Sequence, residues 1–188
     1  MRVFAFHKPR GVVTSTVAEG GALPVFALLP EEFRSWYAVG RLDKDSEGLL
    51  LFCDDAKGAQ RLMDPGSLAK TYEVVVEGFP RDEELAFMRA GGHVLDGRRL
   101  RPVDVERLGK APRGGTRFRV VLREGVNREI RRLFSVAGHK VRRLVRVAVG
   151  PIALGDLQKG KGRELSGPEV EQLAAESSEG SSGDPKED

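Results

Sequence analysis

Residues 49–53 read LLLFC, and the nine residues before them read GRLDKDSEG. A continuous apolar run of that length is short for a helix and fits a strand covered on both faces. The charged segment is bracketed by Gly40 and Gly48, so it reads as a loop feeding straight into a rigid, buried element. Loops held at the end of such a strand are where catalytic groups are usually carried. Asp43, Asp45 and Glu47 sit at two-residue spacing. In an extended chain each neighbouring pair has its Cα atoms roughly 6.5–7 Å apart on one face. A solvated acidic turn has the same spacing, and paired carboxylates also suit a glycosidase, which needs an acid and a second carboxylate.

The rest of the chain alternates strand and helix signals. Arg2–His7 reads as a short strand closed by the turn Lys8-Pro9-Arg10-Gly11. Residues 12–40 predict loops and a short helical piece. Asp54 or Asp55 caps a helix running to about Met63. Lys70–Glu77 is β-branched and aromatic, hence a strand. Pro80 starts a helix whose first turn holds Asp82, Glu83 and Glu84, where acids suit the helix dipole. Val94–Val105 reads as a hairpin around Asp96-Gly97. Thr116–Arg123 alternates and predicts a strand with one wet, basic face. Asn127–Ala137 has helical spacing with Asn127 as its N-cap. Lys140–Val149 predicts another strand, and a short helix follows Ser166-Gly167-Pro168. At least six strands and three helices, several strands joined by hairpins, make an α+β chain around a mixed, largely antiparallel sheet.

Composition narrows the function. The chain of 188 residues is 40% apolar, enough for a core, and no apolar run approaches the roughly 18 residues of a spanning helix. The expected setting is soluble and cytoplasmic, with a monomer as the default. One cysteine, Cys53, excludes an internal disulfide and any multi-cysteine metal site, and it is expected to pack in the core. His7, His93 and His139 share no ligand spacing, so no metal is expected. Residues 176–188 carry five acids and one lysine, have no apolar residue to bury, and are expected to be a disordered tail. Without them residues 1–175, expected to form the folded domain, carry a balance of +7. That charge suggests a polyanionic partner. The cations cluster: seven lie between Arg128 and Arg146 against one acid, Glu129. A second basic group runs from Arg98 to Arg119. Both suit a phosphate-binding surface.

Four ordered segments resemble one family. GRLDKDSEGLLL is similar to the signature of one group of ribosomal RNA pseudouridine synthases, small-subunit type A and large-subunit types B, E and F. His7-Lys8-Pro9-Arg10-Gly11 matches the family's N-terminal Lys-Pro-x-Gly element, and Lys70-Thr71-Tyr72 its Lys-x-Tyr strand. EGVNREIRRLF, residues 124–134, matches its Glu-Gly-x-x-x-Gln-(Ile/Val)-Arg-Arg helix entry, with Glu129 standing where that element usually has Gln. The resemblance covers about residues 1–165. No S4-type RNA-binding domain of the kind many relatives carry is expected, and with the compact length this makes the chain most similar to type E of the large-subunit synthases.

The resemblance implies a pseudouridine synthase fold with a central basic cleft. It implies an isomerase that converts a uridine of ribosomal RNA, 23S for type E, to pseudouridine without a cofactor. Asp43 is then the catalytic carboxylate, Arg131 its cationic partner, and Tyr72 the residue that stacks on uracil. The target uridine must be flipped out to reach an aspartate. Arg41 fills the vacated stack or clamps the backbone, while Lys8, Lys70, Arg128, Arg132, Arg142 and Arg143 hold RNA. Asp45 and Glu47 shape the loop or are solvated. Covalent attack on the sugar, attack on the base, and proton abstraction leading to a glycal stay open. The substrate is naked RNA or a partly assembled ribosomal subunit. The competing reading is a catalytically silent RNA-binding or ribosome assembly module using the same basic surface.

Overall fold

A computed structural model describes residues 1–181. In chain order its elements are β1 (Val3–Lys8), β2 (Tyr37–Val39), β3 (Glu47–Cys53), α1 (Ala56–Met63), β4 (Lys70–Glu77), α2 (Asp82–Ala90), β5 (Val94–Leu95), β6 (Arg98–Arg99), β7 (Asp104–Ala111), β8 (Gly115–Leu122), α3 (Glu129–Val136), β9 (Val141–Val149), β10 (Ile152–Ala153), β11 (Gly162–Glu164) and α4 (Gly167–Ser181). The protein is α+β, as its patterning implies. Its described residues divide into two compact units: Met1–Leu68 with the chain from Arg146 to Ser181, and Ala69–Val145. Strand β9 therefore belongs to the second unit up to Val145 and to the first from Arg146.

In the first unit β3 is the central strand. It pairs antiparallel with β1, from Val3 opposite Cys53 to Lys8 opposite Gly48, and with β2 through Leu51, Phe52 and Cys53. On its far side β1 pairs antiparallel with β11. Every residue of β3 is buried, which is why its sequence shows no alternation. Leu49, Leu51 and Cys53 join Val3, Ala5, Leu62 and Leu173 in one core. Phe52 lies against Phe6 and Phe26 with ring centroids 6.5 and 5.3 Å apart, and Phe4 stacks on Phe33 at 3.9 Å. Each such buried side chain contributes about 1.5–3 kcal/mol, so both faces of β3 are held firmly.

Helix α1 begins where expected: the Asp55 side chain accepts from the backbone N–H groups of Lys57 and Gly58. The expectation for the tail needs correcting. α4 runs to Ser181, across the boundary expected at residue 175. Its Ser177 is buried and donates to the Arg61 carbonyl at 3.1 Å. Leu173, also buried, anchors the helix in the core. The rest of the acidic tail lies outside the described residues.

In the second unit β4 pairs antiparallel with β8 over its whole length, and β8 with β7. Tyr72, Val74 and Val76 of β4 are buried together, the period-2 face of a strand. On β8, Phe118 and Val120 are buried while Arg117 and Arg119 are exposed, which is the predicted basic face. The turn between β5 and β6 uses Asp96 and Gly97, both at positive φ, 51° and 76°. α3 rests Phe134 on Phe118, ring centroids 5.4 Å apart. β2, β7, β10 and β11 have no separate counterpart among the strands expected from the sequence, which reads residues 12–40 as loops and a short helical piece.

Candidate active site

The Gly40–Gly48 loop is a tight turn tied down from below. Ser46 N–H donates to the Asp43 carbonyl at 3.0 Å, closing a turn over Lys44 and Asp45. Gly11 N–H reaches the Lys44 carbonyl at 2.7 Å, so the Lys-Pro-Arg-Gly turn and the acidic turn are one assembly. Thr14 Oγ1 donates to the Leu42 carbonyl and accepts from the Leu42 N–H, at 2.8 and 3.2 Å. Leu42 and Ser46 are buried, while Asp43 between them is half-exposed. The backbone at Asp43 is thus fixed while the residue keeps access to solvent.

Lys8 does not meet the expectation of a phosphate contact. It is fully buried, and its Nζ donates to the carbonyls of Ser46, Asp43 and Pro9 at 2.7, 3.1 and 3.1 Å. Burial pulls its ammonium down to about 8, against the opposing attraction of Asp43. An ammonium carries three donors, and three carbonyls receive them. Lys8 is a strut under the loop.

Arg146 is a second residue that sequence reasoning misplaced. Counted among the cations of a basic surface, it is buried, with Nε donating to the Leu49 carbonyl at 2.7 Å and an Nη reaching the Arg41 carbonyl at 3.4 Å. It straddles the loop from one end to the other. Gly48 makes room: at φ 115° a Cβ there would overlap the Arg146 backbone. The signal was present, since Arg146 is the lone cation inside the apolar run LVRVAV. Glu47 is buried too and pairs with Lys159 at 2.5 Å, which makes it a loop-shaping group. Arg41 is exposed at the head of the loop.

The remaining site candidates lie in the second unit. Tyr72 is buried on β4 opposite Val120, and Lys70 is half-buried opposite Leu122. Arg131, half-buried on the first turn of α3, donates to the Val141 carbonyl at 3.2 Å. Arg128 precedes α3 in a left-handed conformation, φ 52°, and caps it without a side-chain hydrogen bond, in place of the Asn127 cap expected. Two of the expected RNA contacts are already engaged within the protein. Arg132 grips the Asp96 carboxylate with both Nη atoms, at 2.5 and 2.9 Å. Arg142 donates to the Arg113 and Pro112 carbonyls at 2.9 and 2.8 Å, holding the β7–β8 turn. Arg128 and Arg143 are exposed. Among the described residues no group of three or more His, Cys, Asp or Glu side chains gathers as a metal site.

The family model described as RNA pseudouridylate synthase matches residues 2–136. The chain belongs to the RNA pseudouridine synthases. It is 39% identical over 176 residues to ribosomal large subunit pseudouridine synthase E of Xanthomonas campestris, covering 84% of this chain and 91% of that protein. It is 34% identical over 177 residues to ribosomal large subunit pseudouridine synthase B of Bacillus subtilis, covering 92% and 71%. A crystal structure of a pseudouridylate synthase superposes with a TM-score of 0.82 at 26% identity, covering 92% of this chain and 73% of that one. The pseudouridine synthase fold and the isomerase class expected from the four segments both stand. Among the described residues no helix is long and apolar enough to cross a membrane.

Proposed function

We propose that this pseudouridine synthase acts on ribosomal RNA, converting one uridine of the large-subunit 23S RNA to pseudouridine with Asp43 as its catalytic carboxylate and no cofactor. Two large-subunit synthases among its relatives support the substrate class. The reading is carried by one observation: a half-exposed aspartate on a turn whose backbone is held by Lys8, Thr14 and Gly11. A group that must meet a single atom of a nucleoside gains from being positioned in advance.

The reaction breaks the N1–C1′ bond, turns the base and joins C5 to C1′. No water is consumed, so one ionised carboxylate near C1′ suffices, as nucleophile, base or electrostatic stabiliser. Arg131 supplies the cation that keeps Asp43 charged and oriented. Tyr72 offers a flat face to the uracil and a phenol to relay the proton at C5. The uridine is flipped out of the RNA, with Arg41 in the vacated stack. Lys70, Arg128 and Arg143 hold phosphates, and the enzyme works as a cytoplasmic monomer.

Mapping pseudouridine in ribosomal RNA from cells with and without this protein tests the proposal. One 23S position is expected to lose its pseudouridine and regain it with the wild-type chain. Unchanged maps of both ribosomal RNAs would leave only the silent binding module.

A further inference from the structure

Glu129 is the acid at the entry of α3, two residues before Arg131, and only 2% of its surface is exposed. Both of its carboxylate oxygens are buried, and neither receives a well-formed hydrogen bond. The backbone in front of it is strained, because Arg128 is held left-handed and α3 has no capping side chain. Such a conformation lasts only when its surroundings over-determine it. Here Glu129 and Ile130, both buried, plug the start of the helix into the core. The charged groups acting on Glu129 from neighbouring elements are Glu124, on the loop after β8, and Lys70, on β4; Arg128, Arg131 and Arg132 adjoin it along its own segment. The Val126 N–H approaches it loosely and favours the charged form, but burial and the Glu124 carboxylate act more strongly the other way. Glu124 is itself occupied, accepting from the Arg101 N–H at 2.8 Å. A carboxylate at 129 is short of donors and repelled by a second acid.

We propose that Glu129 is a positioning residue that works in its neutral, protonated form, holding the entry of α3 and with it Arg128 and Arg131, and that its ionisation lowers turnover. The inference rests on the proposed synthase activity. Burial first, then the Glu124 charge, pushes its carboxyl up to about 7. A neutral carboxylic acid has nearly the shape of a glutamine amide, and like it can both donate and accept. Ionisation would put an extra negative charge beside the arginine proposed to serve Asp43.

The test compares wild type, Glu129→Gln and Glu124→Gln. Single-turnover pseudouridine formation is followed on ribosomal RNA from cells lacking the protein, from pH 6 to pH 8 at constant salt. The glutamine at 129 cannot ionise, so the rate ratio of Glu129→Gln to wild type is expected to rise about tenfold across that range. Glu124→Gln removes the repelling charge, so Glu129 ionises more readily and the midpoint of the rate profile is expected to move to lower pH. A second readout needs no activity. A carboxyl whose folded value lies above its unfolded one gives stability that is lost as pH rises through the folded value. The urea midpoint of wild type is therefore expected to fall between pH 5 and pH 8, and that of Glu129→Gln to fall less. Parallel pH profiles in both readouts overturn the inference while leaving the synthase reading intact. Absence of pseudouridine from wild type itself overturns the synthase reading instead.

Discussion

At the scale of single residues, the loop depends on a buried ammonium. Lys8→Met keeps the length and apolar stem but leaves three carbonyls without their donor. A buried acceptor stripped of its partner costs about 1–3 kcal/mol. The expected outcome is a lower urea midpoint and a kcat reduced by at least about tenfold with RNA affinity nearly unchanged, because Lys8 does not face solvent. Loss of affinity with kcat preserved would restore Lys8 to the RNA surface. The distinction was out of reach in the sequence: a lysine beside a proline turn reads as exposed, and only the three-dimensional convergence of Pro9, Asp43 and Ser46 shows otherwise. The same holds for Arg142, whose partners at 112 and 113 are about thirty residues away.

At the scale of elements, local patterning carried far. The bounds of β4 agree with the sequence reading to the residue, and Asp55 caps α1 as its position suggests. These elements are set by neighbours in the chain: β-branched runs, a capping oxygen, a turn pair. Where long-range packing decides, the pattern was silent. β10 and β11 are short pairings at the margins of longer strands, and α4 has no strong apolar stripe to announce its length. The junction of β3 with the loop gives a sharp prediction. Gly48→Ala would place a Cβ into the Arg146 backbone at a φ that side chains rarely adopt. The expected cost is about 3 kcal/mol or more, seen as a fall in the urea midpoint. A change below about 0.5 kcal/mol would mean that the Arg146 brace is slack.

At the scale of the whole molecule, charge speaks to the partner. The positive balance of residues 1–175 suits a polyanion, and on the proposed reading the exposed Arg128 and Arg143 meet its phosphates. With about three phosphate contacts, RNA affinity is expected to fall roughly 20- to 40-fold between 50 and 200 mM salt. Filter binding with ribosomal RNA at graded salt measures the slope, and a flat response would separate recognition from the basic surface. The family was legible from four short segments in order. The boundaries between the two units were not, because hydrophobic patterning marks which residues are buried and not which of them share a core.

The proposed chemistry turns on Asp43. Asp43→Asn preserves size and the backbone carbonyl that Lys8 and Ser46 bind, and replaces the charged carboxylate by a neutral amide. The decisive measurement is single-turnover pseudouridine formation by wild type and Asp43→Asn on the same ribosomal RNA, alongside their RNA affinities. A catalytic carboxylate at this position predicts no detectable product from the variant, with affinity within about threefold of wild type. Product formation by Asp43→Asn at a rate near that of wild type would contradict it.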